Sequence, residues 1–592
     1  MAEREEAGTA NAGTETNLPE KLALENFTSG PESERVCQSQ KAAEKSSKLL
    51  SGLLAMNIVF LGTAFLLSAI FNQSSVPRTH ILIFLMALSA LAMCWMLCHQ
   101  TATCSVPHQD LHAGAIWLRG AMLLFGICSV LLDIFKTGFY LQYSNAANTL
   151  KIVYPIVEAV FISAQTYLLW FRSKDCFHTH RHITRCGLML TVATDLVLWM
   201  TAVTDDSIHM ELDVEEHNGS STHLRGDLNI TGYSCHSELC TIFRKGVVIM
   251  YPFNIEYCLI SSTMLYIMWT NIGRTIDHHV THARYKFRGY GLVLGLLLGL
   301  VAIIAGLCIF ILYQIETAID SSKPQPFVRF YIFHIVLLSV MSLCSVAGTA
   351  VHRWEERDVD TRENPTRSLD VVLLQVAALG QLCISYFSIV AIASTHLRQP
   401  VDVLNLTYSV FIIIEHVLQN LFIIEGLHRQ HAAEELCLNS GGLYEKDSTT
   451  DPQNINGQES FPLEIVHGVH EPTTATLKTN TDGRDELRDA DGTRNCSFHL
   501  DLKRTSQMSL QTANKLNWKR KFLKEISVFM IMSNLILWIM PAFGAHPQFE
   551  NGLERQFYGF SVWFAILNFG LPLGVFYRMH SAGNLLEICL TA

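Results

Sequence analysis

Twelve apolar runs, each close to 20 residues long, limit what this chain can fold into more than any other feature. A bilayer core about 30 Å thick is crossed by about 20 helical residues rising about 1.5 Å each. The runs are 50–71, 81–99, 115–133, 152–171, 186–204, 247–269, 290–314, 327–351, 369–394, 401–425, 523–541 and 557–577. A soluble chain of 592 residues would need several domains with charged surfaces. Here Asp, Glu, Lys and Arg make up 16% of the residues, against about 25% in soluble domains. With 32 Phe, 9 Trp and 49% hydrophobic residues, disorder is excluded for most of the chain. The net charge of −10 gives no reason to expect nucleic acid as a partner. The 16 cysteines form no CxxC pair and lie mostly in apolar runs, where a thiol behaves as a small hydrophobe. The chain reads as an all-α polytopic membrane protein with twelve transmembrane helices.

Residues 1–48 are polar, without an apolar stretch or a cleavage pattern, and are expected to form a disordered cytoplasmic tail. Residues 429–516 are rich in Thr, Asp, Asn and Gly with no helical or strand period, and are expected to be a disordered linker. Between them lie two membrane segments, 49–274 with six spans and 275–428 with four. Residues 517–592 supply the last two spans. Lys and Arg gather at alternate span ends, as in Arg172, Lys174, Arg181 and Arg185, and again in Lys515, Lys519, Arg520, Lys521 and Lys524. That bias places both termini in the cytoplasm. The connection between the fifth and sixth spans then faces outward. It carries glycosylation sequons at Asn218 and Asn229 and a candidate disulfide, Cys235 with Cys240.

The spans repeat. Asp195-Leu196-Val197-Leu198-Trp199-Met200 in the fifth is matched by Asn534-Leu535-Ile536-Leu537-Trp538-Ile539-Met540 in the eleventh. Gly52-Leu53-Leu54 in the first is matched by Gly295-Leu296-Leu297 in the seventh. Ile156-Val157-Glu158 in the fourth is matched by Ile413-Ile414-Glu415 in the tenth. The matches keep their order six spans apart. Six is even, so the chain is expected to hold two parallel six-helix halves.

An ionisable group at the bilayer centre costs about 2.5–3.5 kcal/mol on insertion scales, so such groups face the bundle interior. In the first half these are Glu158, Asp195 and Glu256, with Gln165 seven residues from Glu158 on the same helical face. Three acids without a matching buried base suggest a proton or cation path. Asp133 lies at a span end, where it can meet water, as does Glu425. The second half offers Gln381, Glu415, His416, Gln419, Asn420, Glu425, Asn534 and Asn568, with Arg578 at the edge of the last span as a partner for Glu425. For any one amide, a plain helix–helix hydrogen bond is the competing reading. On the outer side, His546 sits in a Pro-bounded turn near Glu550; a histidine titrating near about 6.5 could report acid there. No HExxH, GxSxG or phosphate-loop pattern occurs and no nucleotide-binding domain is present, so neither an enzyme nor an ATP-driven pump is expected.

Three strings narrow the choice. They are Asn420-Leu421-Phe422-Ile423-Ile424-Glu425-Gly426-Leu427-His428-Arg429, Leu537-Trp538-Ile539-Met540-Pro541-Ala542-Phe543-Gly544, and the run from Trp563 through Asn568, Pro572 and Tyr577-Arg578 to Ser581. The chain resembles the otopetrins in these strings and across nearly all its spans. The resemblance implies a proton-selective channel of the plasma membrane driven by extracellular acid. It implies a homodimer with protons as the conducted species and sterol lipid such as cholesterol at helix interfaces. It implies zinc as a modulator of current and no resident cofactor. Its polar positions carry over to Gln165, Asp195 and Glu256, and to Gln419 or Asn420, Glu425, Asn568 and Arg578, with less weight on Glu415. The rival readings are an H⁺-coupled transporter of a small solute and a membrane scaffold. A transporter of this kind has helices broken at Gly or Pro in equivalent spans. Gly570 and Pro572 fit that in the last span, with no counterpart expected in the sixth.

Overall fold

The computed structural model describes residues 31–71, 78–102, 108–109, 116–142, 149–173, 175–176, 181–218, 238–273, 293–319, 324–354, 365–395, 399–428, 518–550 and 552–591. The chain forms two compact units, Met1–His278 and His279–Ala592. The first contains α1 (Pro31–Phe71), α2 (Arg78–Ala102), α3 (Ile116–Leu141), α4 (Thr149–Arg172), α5 (Arg181–Asn218) and α6 (Glu238–Asn271). The second contains α7 (Leu294–Ile319), α8 (Gln325–Trp354), α9 (Pro365–Thr395) and α10 (Pro400–Leu427). It continues with α11 (Trp518–Ala542), two short helices, α12 (Pro547–Glu550) and α13 (Leu553–Tyr558), and α14 (Phe560–Thr591). Each apolar run of the sequence has become one long helix. A two-residue antiparallel bridge joins His108–Gln109 to Asp175–Cys176.

Eleven of the long helices are apolar enough to cross a membrane. The remaining one, α6, has 34 residues, but Asn254, Glu256 and the Ser261-Ser262-Thr263 triplet lower its apolar character. Several helices outrun their apolar stretch, among them α5, which continues to Asn218, and α6, which begins at Glu238. The first helix begins at Pro31, so residues 31–48 are helical where a disordered tail is expected. The third continues past Asp133 to Leu141, because Asp133 and Lys136 are held inside the protein rather than at its edge. The last runs on to Thr591, with Arg578, Ser581 and Asn584 buried along it. Residues 1–30 and the linker at 429–516 lie outside the described residues.

Within the first unit, α6 packs on α3 and α5, α4 on α2 and α3, and α1 on α5. Within the second, α10 packs on α8 and α9, and α14 on α9. Lipid is as apolar as leucine, so helices in a bilayer associate through close backbone approach at small residues. Gly62 of α1 faces Val197 of α5, and Gly306 of α7 faces Ile536 of α11. Val197 lies two residues past Asp195, and Ile536 two past Asn534, so the repeat read in sequence is also a repeat in packing. At the α9–α14 crossing a Cβ added to Gly380 would stand 2.7 Å from the Gly570 carbonyl oxygen, and one on Gly570 would stand 2.8 Å from that of Gly380. The α5 span is the most buried, and the α1 and α7 spans are the least. Their outward Leu53, Phe60, Leu297 and Val301 suit a lipid environment.

Candidate functional site

In the first unit the polar residues of α6 recur at helical spacing. Tyr251, Asn254, Cys258 and Ser261 share one face, which spans about 15 Å of the axis. Near one end of that face, Asp195 of α5 is fully buried. It accepts a hydrogen bond from Gln165 Nε2 of α4 at 2.5 Å and another from Ser261 Oγ at 2.8 Å. Beside it, the Tyr257 hydroxyl is 2.9 Å from Thr166 Oγ1 and donates to the Ile162 carbonyl at 3.1 Å. Farther along, Glu158 of α4 accepts from Asn254 Nδ2 at 3.3 Å and from Lys136 Nζ of α3 at 3.4 Å. The same ammonium lies 3.6 Å from Asp133 and 5.3 Å above the Tyr251 ring. Beyond this group, Arg78 of α2 pairs with Asp205 of α5.

Two features of this column differ from the sequence expectation. The acids do have a buried base, Lys136, and Asp133 is buried beside it rather than meeting water. Glu256 is fully buried, but it sits about 200° around α6 from both Asn254 and Cys258, on another face. The column therefore gathers Glu158, Gln165 and Asp195 in two hydrogen-bonded groups, while Glu256 projects from another face of α6.

The second unit builds a tighter network. Arg578 of α14 holds Glu415 of α10 with two parallel bonds, Nη1 to Oε1 at 2.8 Å and Nη2 to Oε2 at 3.0 Å. The same Nη1 is 3.2 Å from Asn534 Oδ1 of α11. Asn534 Nδ2 donates to Gln419 Oε1 at 2.9 Å, and Gln419 Nε2 donates to the Tyr577 hydroxyl at 3.2 Å. That hydroxyl donates in turn to Asn420 Oδ1 at 2.9 Å. His416 stacks on the Tyr577 ring at 4.2 Å, with Nδ1 3.0 Å from Glu415. The partner expected for Arg578, Glu425, lies ten residues past Glu415, about 15 Å along α10, and is half-buried. Glu415 takes its place because it faces α14 at the level of Arg578. Asn568 lies about 15 Å before Arg578 on α14 and is half-buried, apart from this network.

Next to Arg578 a cavity of about 40 Å³ opens between Phe330, His334, Gln381, Tyr408 and Gln548. Roughly 10–15 Å³ of such space holds one water, so about three fit there. His334 stacks on Phe330 at 3.9 Å, and its Nδ1 donates to the Phe330 carbonyl, 2.9 Å away.

The connection from α11 to α14 closes over one end of the second unit. His546 is buried there, and burial pushes its imidazole down to about 4, so it is neutral at mildly acid pH. Glu550 belongs to α12, and its side chain lies outside the described residues. Glu554 of α13, which sequence reasoning missed, is fully buried and accepts from Asn405 Nδ2 at 2.8 Å. Burial pushes its carboxyl above the ordinary range. No sequence signal separated Glu554 from any loop glutamate, since its burial comes from α9 and α10. Cys240 is disulfide-bonded, while Cys235 and Asn229 lie outside the described residues. Asn218 ends α5, with its side chain outside them. Among the described residues no group of three or more His, Cys, Asp or Glu could hold a metal ion.

The two sites correspond position by position. Gln165-Thr166 matches Gln419-Asn420, Asp195 matches Asn534, and Pro252 with Tyr257 matches Pro572 with Tyr577. Pro252 is thus the counterpart of Pro572 that the sequence reading lacks, and both α6 and α14 continue through their prolines.

A family model described as Otopetrin matches residues 117–232, 225–439 and 503–579. A human protein named Proton channel OTOP3 is 44% identical over 93% of this chain and 87% of its own length. Mouse Proton channel OTOP2 is 39% identical over 92% of this chain and 95% of its own. Zebrafish (Danio rerio) Proton channel OTOP1 is 32% identical over 94% and 93%.

Proposed function

The chain belongs to the otopetrin family, and from that premise we propose that it is a proton channel, with a hydrogen-bonded polar column inside each half as its route. It is a multi-pass membrane protein and not an enzyme. The observation that carries the reading is the matched crossing of Gln165, Asp195 and Tyr257 in one half and Gln419, Asn534 and Tyr577 in the other. Carboxyls, hydroxyls and water pass a proton by exchanging donor and acceptor roles, and the amides orient them. A hydrated Na⁺ would need a pore wide enough for its water shell. The small cavity beside Arg578 supplies room for the few waters that complete such a chain in the second half.

The finer reading is a plasma-membrane channel with both termini in the cytoplasm, supported by the basic residues at 172–185 and 515–524. Extracellular acid then drives protons inward. A homodimer, cholesterol-like lipid at helix interfaces and zinc as a modulator belong to the same proposal through the family likeness.

The test is whole-cell current while external pH is stepped from neutral to about 5 and Na⁺, K⁺ and Cl⁻ are replaced in turn. A reversal potential moving by about 59 mV per pH unit, indifferent to the replacements, is expected for a proton channel. No current at confirmed surface expression, or current that requires a co-solute, overturns the reading, and the co-solute result points to a transporter.

A further inference from the structure

We propose that Lys136 sets the cation selectivity of the first half. Its ammonium is a tethered cation occupying a pocket whose oxygens would otherwise bind a small hard cation such as Na⁺. The inference deepens the proton-channel reading and rests on it.

The pocket is made by three helices. Asp133 of α3 and Glu158 of α4 converge on the Lys136 ammonium, and the Asn254 amide nitrogen of α6 donates to Glu158, all of them buried. Carboxylate oxygens are the ligands that hard cations such as Na⁺, Ca²⁺ and Mg²⁺ prefer. Lys136 Nζ stands at 3.4 Å from Glu158 and 3.6 Å from Asp133, where such an ion would sit. The Tyr251 ring covers its other side at 5.3 Å. Being covalently attached, this cation cannot be carried away by the field, and a second cation entering the pocket would meet it at contact distance.

A proton escapes that exclusion. It enters by forming an O–H bond on a carboxylate already present, and it needs neither volume nor new ligands. The charge count leaves room for it: two carboxylates face one ammonium, so one negative charge is unmatched and one proton neutralises it. The second half lacks this arithmetic, because Arg578 and Glu415 are matched one to one with both guanidinium bonds satisfied.

The experiment compares wild type, Lys136→Met and Lys136→Arg under a fixed proton gradient, with external Na⁺ exchanged for N-methyl-D-glucamine near neutral pH. Wild type and Lys136→Arg are expected to show the same reversal potential and conductance in both solutions. Lys136→Met is expected to show a reversal potential displaced by Na⁺, or proton current blocked several-fold by it. Lys136→Met current that is indifferent to Na⁺ overturns the inference, including where it is merely smaller than wild type.

If Lys136→Met does not reach the surface, Asp133→Asn/Lys136→Met takes its place. It keeps the net charge and leaves Glu158 without a tethered cation, so a Na⁺ effect is again expected. If neither variant reaches the surface, melting of detergent-solubilised Lys136→Met is compared in NaCl and choline chloride. Selective stabilisation by Na⁺ supports the inference, and equal melting overturns it. Absence of proton current in wild type would instead sink the proton-channel reading itself.

Discussion

The two halves share a crossing and differ in the cation that guards it. In both, a glutamine on the fourth helix meets Asp195 or Asn534 on the fifth. A tyrosine five residues past a proline on the sixth lies beside it. The phenol also repeats its neighbour: Tyr257 pairs with Thr166 and Tyr577 with Asn420, each at 2.9 Å. The cations do not repeat. In the first half Lys136 comes from the third helix and serves two carboxylates, whereas in the second Arg578 comes from the last helix and serves one. Where α14 carries Arg578, α6 carries Cys258. The repeated packing fixes the amide–phenol crossing. A buried carboxylate needs only that some cation reach it, and two different helices have met that need.

The largest effect that can break the comparison is removal of Arg578. Arg578→Met leaves Glu415 buried with no cation of fixed charge, a loss of about 3–5 kcal/mol for a broken buried pair. Arg578→Met/Glu415→Gln should recover most of it, since both charges leave together. Lys136→Met should cost less, because Asp133 and Glu158 can share a proton. Melting of the solubilised variants measures this. Equal losses for the two single variants would mean that the one-to-one and two-to-one pairings are energetically alike.

Much of this contrast was legible in sequence, and the missing part has a physical cause. Length and apolarity give the twelve helices, and the Asp195 and Asn534 strings give the repeat register. Lys136 escapes the sequence reading because an apolar run ends at its first charge, here Asp133, whereas the helix continues when Lys136, three residues on, neutralises that charge and pairs with Glu158, 22 positions away. Sequence alone does not separate Glu425 from Glu415 as the partner of Arg578, because both lie on α10 and only the approach of α14 decides between them. The Ile-x-Glu match misled by one turn. With Gln165 set against Gln419, Glu158 faces Ile412 in the repeat and Glu415 faces Phe161. Three-residue strings in apolar spans recur too often to fix a register, and a hydrogen-bonded amide pair fixes it.

Acid should act differently on the second half through its closing connection. The imidazole of His546 lies at about 4 when folded, below the free value of about 6.5. The opened form therefore binds the proton first, and stability is lost as pH falls from about 6.5 to about 4, by about 3 kcal/mol in all. Glu554 has the opposite sign: its raised carboxyl stabilises the closed form at low pH, and that contribution is lost as pH rises through its folded value. Melting measured at pH 7.5 and 5 should fall less for His546→Gln than for wild type. Identical slopes would remove His546 as the source.

Removing one hydroxyl tests whether the phenols carry equal weight. Tyr577→Phe strands both Gln419 and Asn420, so a cost of about 1–3 kcal/mol is expected. Tyr257→Phe strands only the rotatable Thr166 hydroxyl and a carbonyl, so about 1 kcal/mol is expected. A larger loss at Tyr257 would show that the first half depends on its phenol through contacts other than these.

The smallest structural change sharpens the comparison most. Asp195→Asn gives the first half the fifth-helix residue of the second. The amide Oδ1 can still accept from Gln165 and Ser261, so stability should move by no more than about 1 kcal/mol. What is lost is a group that can take and release a proton within the crossing. Proton current at equal surface density should therefore fall, and by more than Glu256→Gln lowers it, since Glu256 lies on another face of α6. The converse, Asn534→Asp, places a carboxylate 3.2 Å from Arg578, where it competes with Glu415 and should raise the second half's share of the current. If Asp195→Asn leaves the current unchanged, the crossing passes protons without an acid. The two halves would then differ only in the cation beside it.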